Sequence, residues 1–547
     1  MKKLLSSLLC FAMVLGLTAC GGGTSTSGKT DLYAAAGGDI EIMDPAIVDD
    51  TVTANVLNQM YEGLYKLDKD GNPVAVVADG DPEVSEDGLT YTIKLKEGIK
   101  WSDGQDLVAG DFIYAWKRAA AMGTADAYYS QFINKIKNGG DGTRLSSIDD
   151  LKDFGAVAED DHTIVITLSE KCAYFKSLLT NTVFYPVRQD AVEADGGDAL
   201  ASNWADRTET PTNGAFYATK IDSKDEVILT KNTNYYDADE VVLETISFKV
   251  MADASSQTSA FQSGQIDWAS TVNLDTVNGD EDLKAQLYAI DPFVSNYYIL
   301  LNCGDEAAYG NEALQDVEIR KAFAMAIDRE QIIQASGKGD YAYALYNLTP
   351  VGIPNAEGED FTTTNGNNYS AAYDIEGAKK IMESKGYNAD NMLTIEYYYN
   401  DSTMHKDVAQ ALQACLKEAY IDLKLKVGEL QTFFAERDEG KFEAARHAMT
   451  ADFLDPMAYL SMYVGKNTAA NTVDDAKYES LIAEAEALTD ATKRMEKLAE
   501  AEKYLVNEQQ YVVPLFGYTD PFLKASNLEG VESSPEGHFD LTRCSFK

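Results

Sequence analysis

Hydrophobic residues recur along the chain with two spacings, one of two residues and one of three or four. The two-residue spacing predicts half-buried strands at Tyr91–Leu95 and Ile164–Leu168, with a further short strand at Val227–Thr230. The wider spacing of the apolar residues in Phe112–Ala120 predicts an amphipathic helix. A second helix is predicted after Asp316, whose carboxylate can accept the free N–H groups of a helix N-terminus. Strands and helices therefore alternate from early in the chain.

The later part of the chain predicts a strand, a helix and a strand in direct succession. Leu393–Tyr399 and Ile421–Val427 have the composition of strands, and Met404–Ala419 between them has helical spacing. A helix that connects two strands in this way implies a partly parallel sheet. Residues 474–508, rich in Ala and Glu, predict a long helix before a last strand at Tyr511–Phe516. The pattern favours several α/β lobes over a helical bundle or a β-sandwich.

The N-terminal segment has the features of an export signal. Lys2 and Lys3 precede the apolar stretch Leu4–Leu17, which is too short for a stable membrane-spanning helix. The stretch ends in the sequence LTAC at 17–20, which resembles a bacterial lipobox. We therefore expect residues 1–19 to be a lipoprotein signal peptide, Cys20 to carry the lipid, and the Gly- and Ser-rich residues 20–28 to form a flexible tether. Cleavage at a secretory site without lipid attachment is the alternative.

Composition narrows the class of protein. The chain has 547 residues, 45% of them hydrophobic, which suffices for a large core and more than one lobe. It contains 46 Lys and Arg against 89 Asp and Glu, a net charge of −43, which argues against nucleic acid and anionic membrane surfaces as partners. The cysteines after Cys20 are widely separated and lack metal-ligand spacing, and the sequence leaves their pairing open: Cys172, Cys303, Cys415 and Cys544.

Signatures of catalysis and of cofactor binding are missing. The four histidines form no HExxH motif, and the chain contains neither a nucleophile elbow nor a phosphate-binding loop. The acidic run Asp68–Asn72 faintly resembles a calcium loop, but Pro73 stands where such a loop needs glycine, so a turn between two strands is expected. We predict no catalytic residue, metal site or cofactor. A surface hydrolase with an unrecognised carboxylate pair stays open as an alternative.

A set of short motifs occurs in one order along nearly the whole chain after residue 43. They are MDP at 43–45, YEGL at 61–64, EDGLTY at 86–91, WSDG at 101–104, DFIYAWKR at 111–118, TNGAF at 212–216, NYY at 234–236, DVEIRKAF at 316–323 and AIDR at 326–329. This ordered set resembles the peptide-binding branch of the family 5 extracytoplasmic solute-binding proteins.

The resemblance implies a two-lobed α/β fold of the class II periplasmic-binding-protein type. The first lobe, with an extra subdomain, would comprise residues 29–303 and 516–547, and the second lobe residues 304–515. A hinge of two segments would pass near 296–298 and 516–518, and the lobes would close over a ligand.

The same resemblance points to a ligand-binding segment at 445–456. In that family an aspartate at the position of Asp452 pairs with the α-ammonium group of a peptide, and Arg446 and His405 occupy positions that can hold its carboxylate. The alternatives are a loop or capping aspartate, an arginine in an ion pair that stabilises the lobe, and a histidine at a helix N-terminus. Asp455, which precedes Pro456, is expected to be a helix N-cap with the proline at the first helical position.

Three further residues depart from the enteric members of the family. Leu430 and Met449 stand at the positions of tryptophans that wall the side-chain pockets there, so they either line a more adaptable pocket or belong to the core. Thr450 replaces a cysteine, so the disulfide of some relatives is not expected.

The function that the resemblance implies is binding without chemistry. We expect a monomeric, lipid-anchored protein on the extracytoplasmic face that captures short peptides and presents them to an ABC permease with its ATPase subunits. Other solutes of the same fold stay open, namely a dipeptide, a metal chelate, a haem-like molecule or an oligosaccharide. Reception of a peptide signal is a further alternative.

Overall fold

The computed structural model describes residues 28–208, 210–303, 309–364, 369–465 and 474–547. The predicted signal peptide, the predicted lipid-attachment residue Cys20 and the tether as far as residue 27 lie outside the described residues. Within these ranges, none of the helices combines the length and the apolar character that crossing a membrane requires.

The first part of the chain, up to residue 290, carries twelve of the described strands and eight of the described α-helices. Its strands are β1 (Asp31–Ala36), β2 (Tyr65–Leu67), β3 (Pro73–Ala75), β4 (Glu83–Val84), β5 (Thr90–Lys94), β6 (Ala156–Asp160), β7 (Thr163–Thr167), β8 (Phe216–Asp222), β9 (Glu226–Lys231), β10 (Thr245–Val250), β11 (Trp268–Ala269) and β12 (Leu287–Ile290). Its helices are α1 (Thr51–Met60), α2 (Ala109–Met122), α3 (Ser130–Ile133), α4 (Phe175–Leu178), α5 (Gln189–Val192), α6 (Ala254–Gln262), α7 (Leu274–Asn278) and α8 (Glu281–Lys284).

The second part begins with β13, a strand that is buried along its whole length. Its strands are β13 (Ser295–Leu301), β14 (Ala342–Ala344), β15 (Leu393–Asn400), β16 (Ile421–Gly428), β17 (Ala444–Thr450), β18 (Val512–Tyr518), β19 (Asp520–Lys524), β20 (Leu528–Glu529), β21 (Glu532–Ser533), β22 (Phe539–Asp540) and β23 (Ser545–Phe546). Its helices are α9 (Val317–Met325), α10 (Arg329–Ala335), α11 (Ile375–Ser384), α12 (Thr403–Glu418), α13 (Leu430–Asp438), α14 (Met457–Leu460), α15 (Ala476–Ala487) and α16 (Ala491–Lys503).

In the described ranges, three large sheets organise these strands. A seven-stranded sheet has the order β12-β19-β11-β1-β10-β9-β8, a six-stranded sheet has the order β14-β18-β13-β17-β15-β16, and a four-stranded antiparallel sheet has the order β4-β5-β7-β6. The predicted parallel unit is confirmed, because β15 pairs in parallel with β16 across helix α12. Helix α12 buries Val408, Leu412 and Leu416 against that sheet, as its amphipathic spacing predicts.

The chain passes between the two larger sheets at two connections that run side by side. β12 and β19 are neighbours in the seven-stranded sheet, and β13 and β18 are neighbours in the six-stranded sheet. Residues 291–294 and Thr519 connect them. The change of sheet therefore falls before Ser295 and after Tyr518, whereas the expected lobe boundaries lie at residues 303 and 516.

Most local predictions are confirmed, and one is wrong. The strands expected near Tyr91, Ile164 and Val227 are β5, β7 and β9, and Asp316 caps α9 by accepting the N–H of Glu318. The single long helix expected at 474–508 is instead two helices, α15 and α16, followed by a π-helical turn. The break occurs because Asp490 accepts the N–H of Lys493 and so begins a new helix.

Residues of several of the sequence motifs stabilise the first part of the chain. Arg118 donates two hydrogen bonds to Asp44, of 2.8 and 2.5 Å, and both side chains are completely buried. The indole of Trp101 donates to Asp111, 3.0 Å away, and this carboxylate also accepts the N–H of Val108 at the start of α2. These motif residues are therefore part of the scaffold, and the binding groups must be sought elsewhere.

Candidate functional site

Asp452 lies two residues after β17, at a small cavity between the two parts of the molecule. The cavity has a volume of about 60 Å³, enough for a few water molecules or an ammonium group. Its wall includes Tyr129 from the first part of the chain and Thr450 from the end of β17. Its ionisable groups are Asp49, Asp50, Asp452, Glu536 and His538, together with the Tyr129 hydroxyl.

The carboxylate of Asp452 has a single hydrogen-bond donor and no cation beside it in the described ranges. The hydroxyl of Tyr129 donates to its Oδ1 at 2.9 Å. Burial raises the pKa of Asp452 to about 6, although the bond from Tyr129 acts in the opposite direction. A carboxyl group that is held at a cavity without a counter-ion is suited to bind a ligand cation.

Arg446 forms the second charged centre, on the six-stranded sheet. It lies on β17 opposite Ile299 of β13, and its guanidinium donates a hydrogen bond to the side-chain oxygen of Asn400 at the end of β15. Its Nε is buried without a hydrogen-bond partner, and no carboxylate of the described chain forms an ion pair with it. The guanidinium stacks 4.8 Å from the ring centre of Phe433. Burial lowers the pKa of Arg446, yet arginine stays charged at neutral pH.

His405 lies beside Arg446, near the N-terminus of α12. Its Nδ1 is 3.1 Å from the hydroxyl of Tyr297, a hydrogen bond whose direction depends on the tautomer. Burial, and then the positive charge of Arg446, lower the pKa of His405 to about 4. The imidazole is therefore neutral at pH 7, and Arg446 supplies the positive charge of this pair.

The structure thus brings the predicted residues together in two groups and separates two others from them. Thr450 joins Asp452 at its cavity, and its hydroxyl is 3.2 Å from that of Ser295. Met449 is half-buried against the core, and its N–H donates to the side chain of Asn296. Leu430, the first residue of α13, is 41% exposed, so it is not a core residue.

Asp455 caps the start of helix α14, as expected, but it lies one residue further from the helix than predicted. Helix α14 begins at Met457, so Pro456 precedes the helix and is not its first residue. The carboxylate of Asp455 accepts the N–H of Met457 at 3.0 Å, but it also forms two hydrogen bonds with Arg494, of 2.8 and 2.9 Å. This buried ion pair joins the loop after β17 to helix α16.

Most residues of the Asp452 cavity were missed by the sequence analysis, among them Tyr129, Glu536 and His538. They come from distant parts of the chain, and none is marked by a motif or a hydrophobic period. In the described ranges, no cluster of three or more potential ligands could hold a metal ion. The residues at 68–72 form the turn of the β2–β3 hairpin, and Cys172, Cys303, Cys415 and Cys544 are all unpaired.

Comparison with protein families decides the class. The sequence profile of the bacterial extracellular solute-binding proteins, family 5 Middle, matches residues 72–471. The chain belongs to family 5 of the bacterial extracellular solute-binding proteins. As a family 5 protein it has a two-lobed α/β fold, and it is a binding protein and not an enzyme.

Similar proteins cover almost the whole chain. The dipeptide-binding protein DppE of Bacillus subtilis is 30% identical over 94% of this chain and 92% of its own length. The oligopeptide-binding protein OppA of the same organism is 28% identical, with both chains fully covered. Among solved structures, Haemophilus influenzae OppA in complex with RPPGFSPFR has a TM-score of 0.75 and 26% identity, and it covers 95% of this family 5 protein and 99% of its own chain.

Proposed function

We propose that this family 5 protein captures short peptides outside the cell for an ABC importer, without chemical change to the ligand. The observation that carries the proposal is a pair of complementary charged centres on one segment. Among the described residues Asp452 has no cationic partner, so it suits the α-ammonium group of a peptide, and Arg446 has no carboxylate partner, so it suits the C-terminal carboxylate. Peptides of varied sequence share two charged ends and a backbone. A receptor for such peptides therefore has to recognise these common features.

The spacing of the two centres agrees with a short ligand. Arg446 and Asp452 are six residues apart on a segment that is extended as far as Thr450. Six residues of fully extended chain span at most about 20 Å, which is also the length of an extended peptide of about six residues. A ligand of a few residues could therefore reach from one charge to the other along β17.

The lobe arrangement supplies the mechanism. The two lobes would meet at the connections 291–294 and Thr519, with residues from both sides around Asp452. Closure would remove water from the ligand ends and strengthen their charge interactions, because these act in a medium of lower dielectric constant. The closed monomer would then be the form that the permease and its ATPases recognise. The relatives named as dipeptide- and oligopeptide-binding proteins support peptides over the other solutes.

Mass spectrometry of the molecules that co-purify with the protein tests the ligand class. The purified chain is denatured, and the released small molecules are sequenced. We expect a mixture of short peptides of diverse sequence, in reduced amount from the Asp452→Asn variant. A single non-peptide compound would contradict the proposal, and one peptide of defined sequence would favour signal reception over uptake.

We further propose that the mature protein is lipid-anchored through Cys20 at the extracytoplasmic face of the cell membrane. The proposal rests on the lipobox-like sequence at 17–20 and the tether-like composition that follows it. Growth with a labelled fatty acid should label the wild-type chain and leave a Cys20→Ala variant unlabelled. Equal labelling of both chains would remove the anchor from Cys20.

A further inference from the structure

Glu536 is a second carboxyl group at the Asp452 cavity. A ligand with a single ammonium group would engage Asp452 and leave Glu536 without a binding role. It lies between β21 and β22, is only 9% exposed and lines the same cavity as Asp452. Its Oε1 has no hydrogen-bond partner in the described structure. Its Oε2 is 3.9 Å from Nδ1 of His538, which is too long for a hydrogen bond.

The cavity has more carboxyl groups than a single ammonium group can engage. Four carboxyl groups line it, and no lysine or arginine of the described residues does. Asp50 accepts the N–H of Thr53 and so caps helix α1, and Asp49 is exposed to solvent. Asp452 and Glu536 therefore remain as the two carboxyl groups of the cavity that neither face solvent nor cap a helix. Two such groups match a ligand end that carries two positive charges.

Glu536 also stands where a ligand side chain could leave the ammonium position. Together with His538 it lines a neighbouring cavity of about 80 Å³, whose wall includes Asn58, Glu62 and Tyr185. The carboxyl group thus lies between the space next to Asp452 and a second space beyond it. A flexible side chain on the first residue of the ligand would pass Glu536 as it enters this second cavity.

We propose that Glu536 binds the side-chain cation of a lysine or arginine in the first residue of the peptide, and that it thereby selects peptides with a basic N-terminal residue. The inference rests on the proposed function, because it takes Asp452 as the site of the α-ammonium group. It adds a determinant of specificity that the two terminal charges do not supply.

Glu536 loses a proton when it binds this cation. Burial, and then the negative charge of Asp452, raise the pKa of Glu536 to about 8, so the empty site holds it protonated at pH 7. A second ligand cation favours the ionised form, and the proton leaves to solvent. The other ionisable groups around the Asp452 cavity are Asp49, Asp50, Asp452, His538 and Tyr129. Those around the second cavity are Tyr61, Glu62, Lys66, Lys69, Tyr185, Glu532 and Asp540. Burial lowers the pKa of His538 to about 4, so this imidazole is neutral and supplies no competing charge.

Calorimetric titration of the ligand-free full chain tests the proposal with three matched tetrapeptides. They differ only in the first residue, which is lysine, Nε-acetyl-lysine or norleucine. We expect the lysine peptide to bind at least tenfold more tightly than the other two. Titrations in two buffers of different ionisation enthalpy should show greater proton release for the lysine peptide at pH 7.

Glu536→Gln should reduce the preference for lysine, measured as the ratio of the lysine and norleucine affinities in the same variant, to less than about threefold. Glu529→Gln, a change at an exposed residue of the same C-terminal segment, should keep the full preference. The acetyl-lysine peptide makes the same test on the wild-type protein, so the result does not depend on the folding of a variant. Equal affinities in the wild type, or an undiminished preference in Glu536→Gln, would overturn the inference while peptide binding stands. Failure of all three peptides to bind would overturn the proposed function itself.

Discussion

Two aspartates that lie three residues apart after β17 have opposite surroundings. Asp455 is buried and makes two hydrogen bonds with Arg494, so its charge is balanced within the protein. Asp452 faces a cavity, has one hydroxyl donor and has no cationic partner in the described ranges. The carboxylate of Asp455 contributes to the stability of the fold through its ion pair. The negative charge of Asp452 lowers the stability of the fold unless a ligand cation balances it.

The contrast extends to the arginines. Arg118 and Arg494 are each paired with a buried aspartate. Arg446 has an amide oxygen and an aromatic ring beside it, and its buried Nε has no partner among the described residues. The Asp44–Arg118 and Asp455–Arg494 pairs therefore maintain the scaffold, whereas Asp452 and Arg446 have no ion-pair partner in the described ranges and are available to a ligand. Substitutions in the two classes should consequently affect different properties.

The largest expected effect is on folding, at the Asp455–Arg494 pair. Arg494→Met leaves the carboxylate of Asp455 buried and unpaired, which costs about 3–5 kcal/mol of the free energy of unfolding. Denaturation by urea measures it. Lys497→Met on the same helix, at a surface ion pair, should cost less than about 1 kcal/mol. A loss at Arg494 no larger than that of the control would remove the distinction between the two aspartates.

The next effect is on binding, at Asp452. Asp452→Asn should lower the affinity for peptides with a free amino group about a hundredfold or more, because the ligand ammonium loses its counter-charge. The free energy of unfolding should not fall, since an uncompensated buried charge is removed. Calorimetry with a peptide and with its Nα-acetylated form shows whether the lost affinity belongs to the amino group. If both forms lose affinity equally, Asp452 does not contact the amino group.

A tenfold effect is expected at Arg446. Arg446→Gln keeps a donor for Asn400 but removes the charge, so peptides with a free carboxylate should bind about tenfold more weakly. Peptides with an amidated C-terminus should bind the variant and the wild type alike. A loss of equal size for the amidated peptides would assign Arg446 to the structure of the lobe.

The smallest effect is expected at His405. Because its pKa of about 4 keeps the imidazole neutral, it adds no charge to the carboxylate site above pH 5. His405→Gln should therefore change peptide affinity less than about threefold, with no change in its dependence on pH between 6 and 8. A tenfold loss that grows as the pH falls would show that the ligand recruits a proton to His405.

The sequence predicted the parts of this arrangement that depend on neighbouring residues. The period of two gave β5 and β7, and the succession of strand, helix and strand gave β15, α12 and β16. The long helix at 474–508 was wrong because one capping residue, Asp490, decides where a helix restarts. The candidate Asp452 came from resemblance to a family, since nothing in its local sequence marks it as a binding residue. Tyr129 and Glu536 could not be predicted, because only the tertiary fold brings them to the same cavity.

The double connection between the sheets has a mechanical consequence. β12 and β19 run side by side into β13 and β18, so a hydrogen-bonded ribbon two strands wide, interrupted only at 291–294 and Thr519, links the two bodies. A ribbon of this kind flexes readily across its flat face and resists shear along its length, because sliding would break the register of the ladders on both sides. The two lobes should therefore rotate about this ribbon as a hinge, and the same two surfaces should meet at every closure.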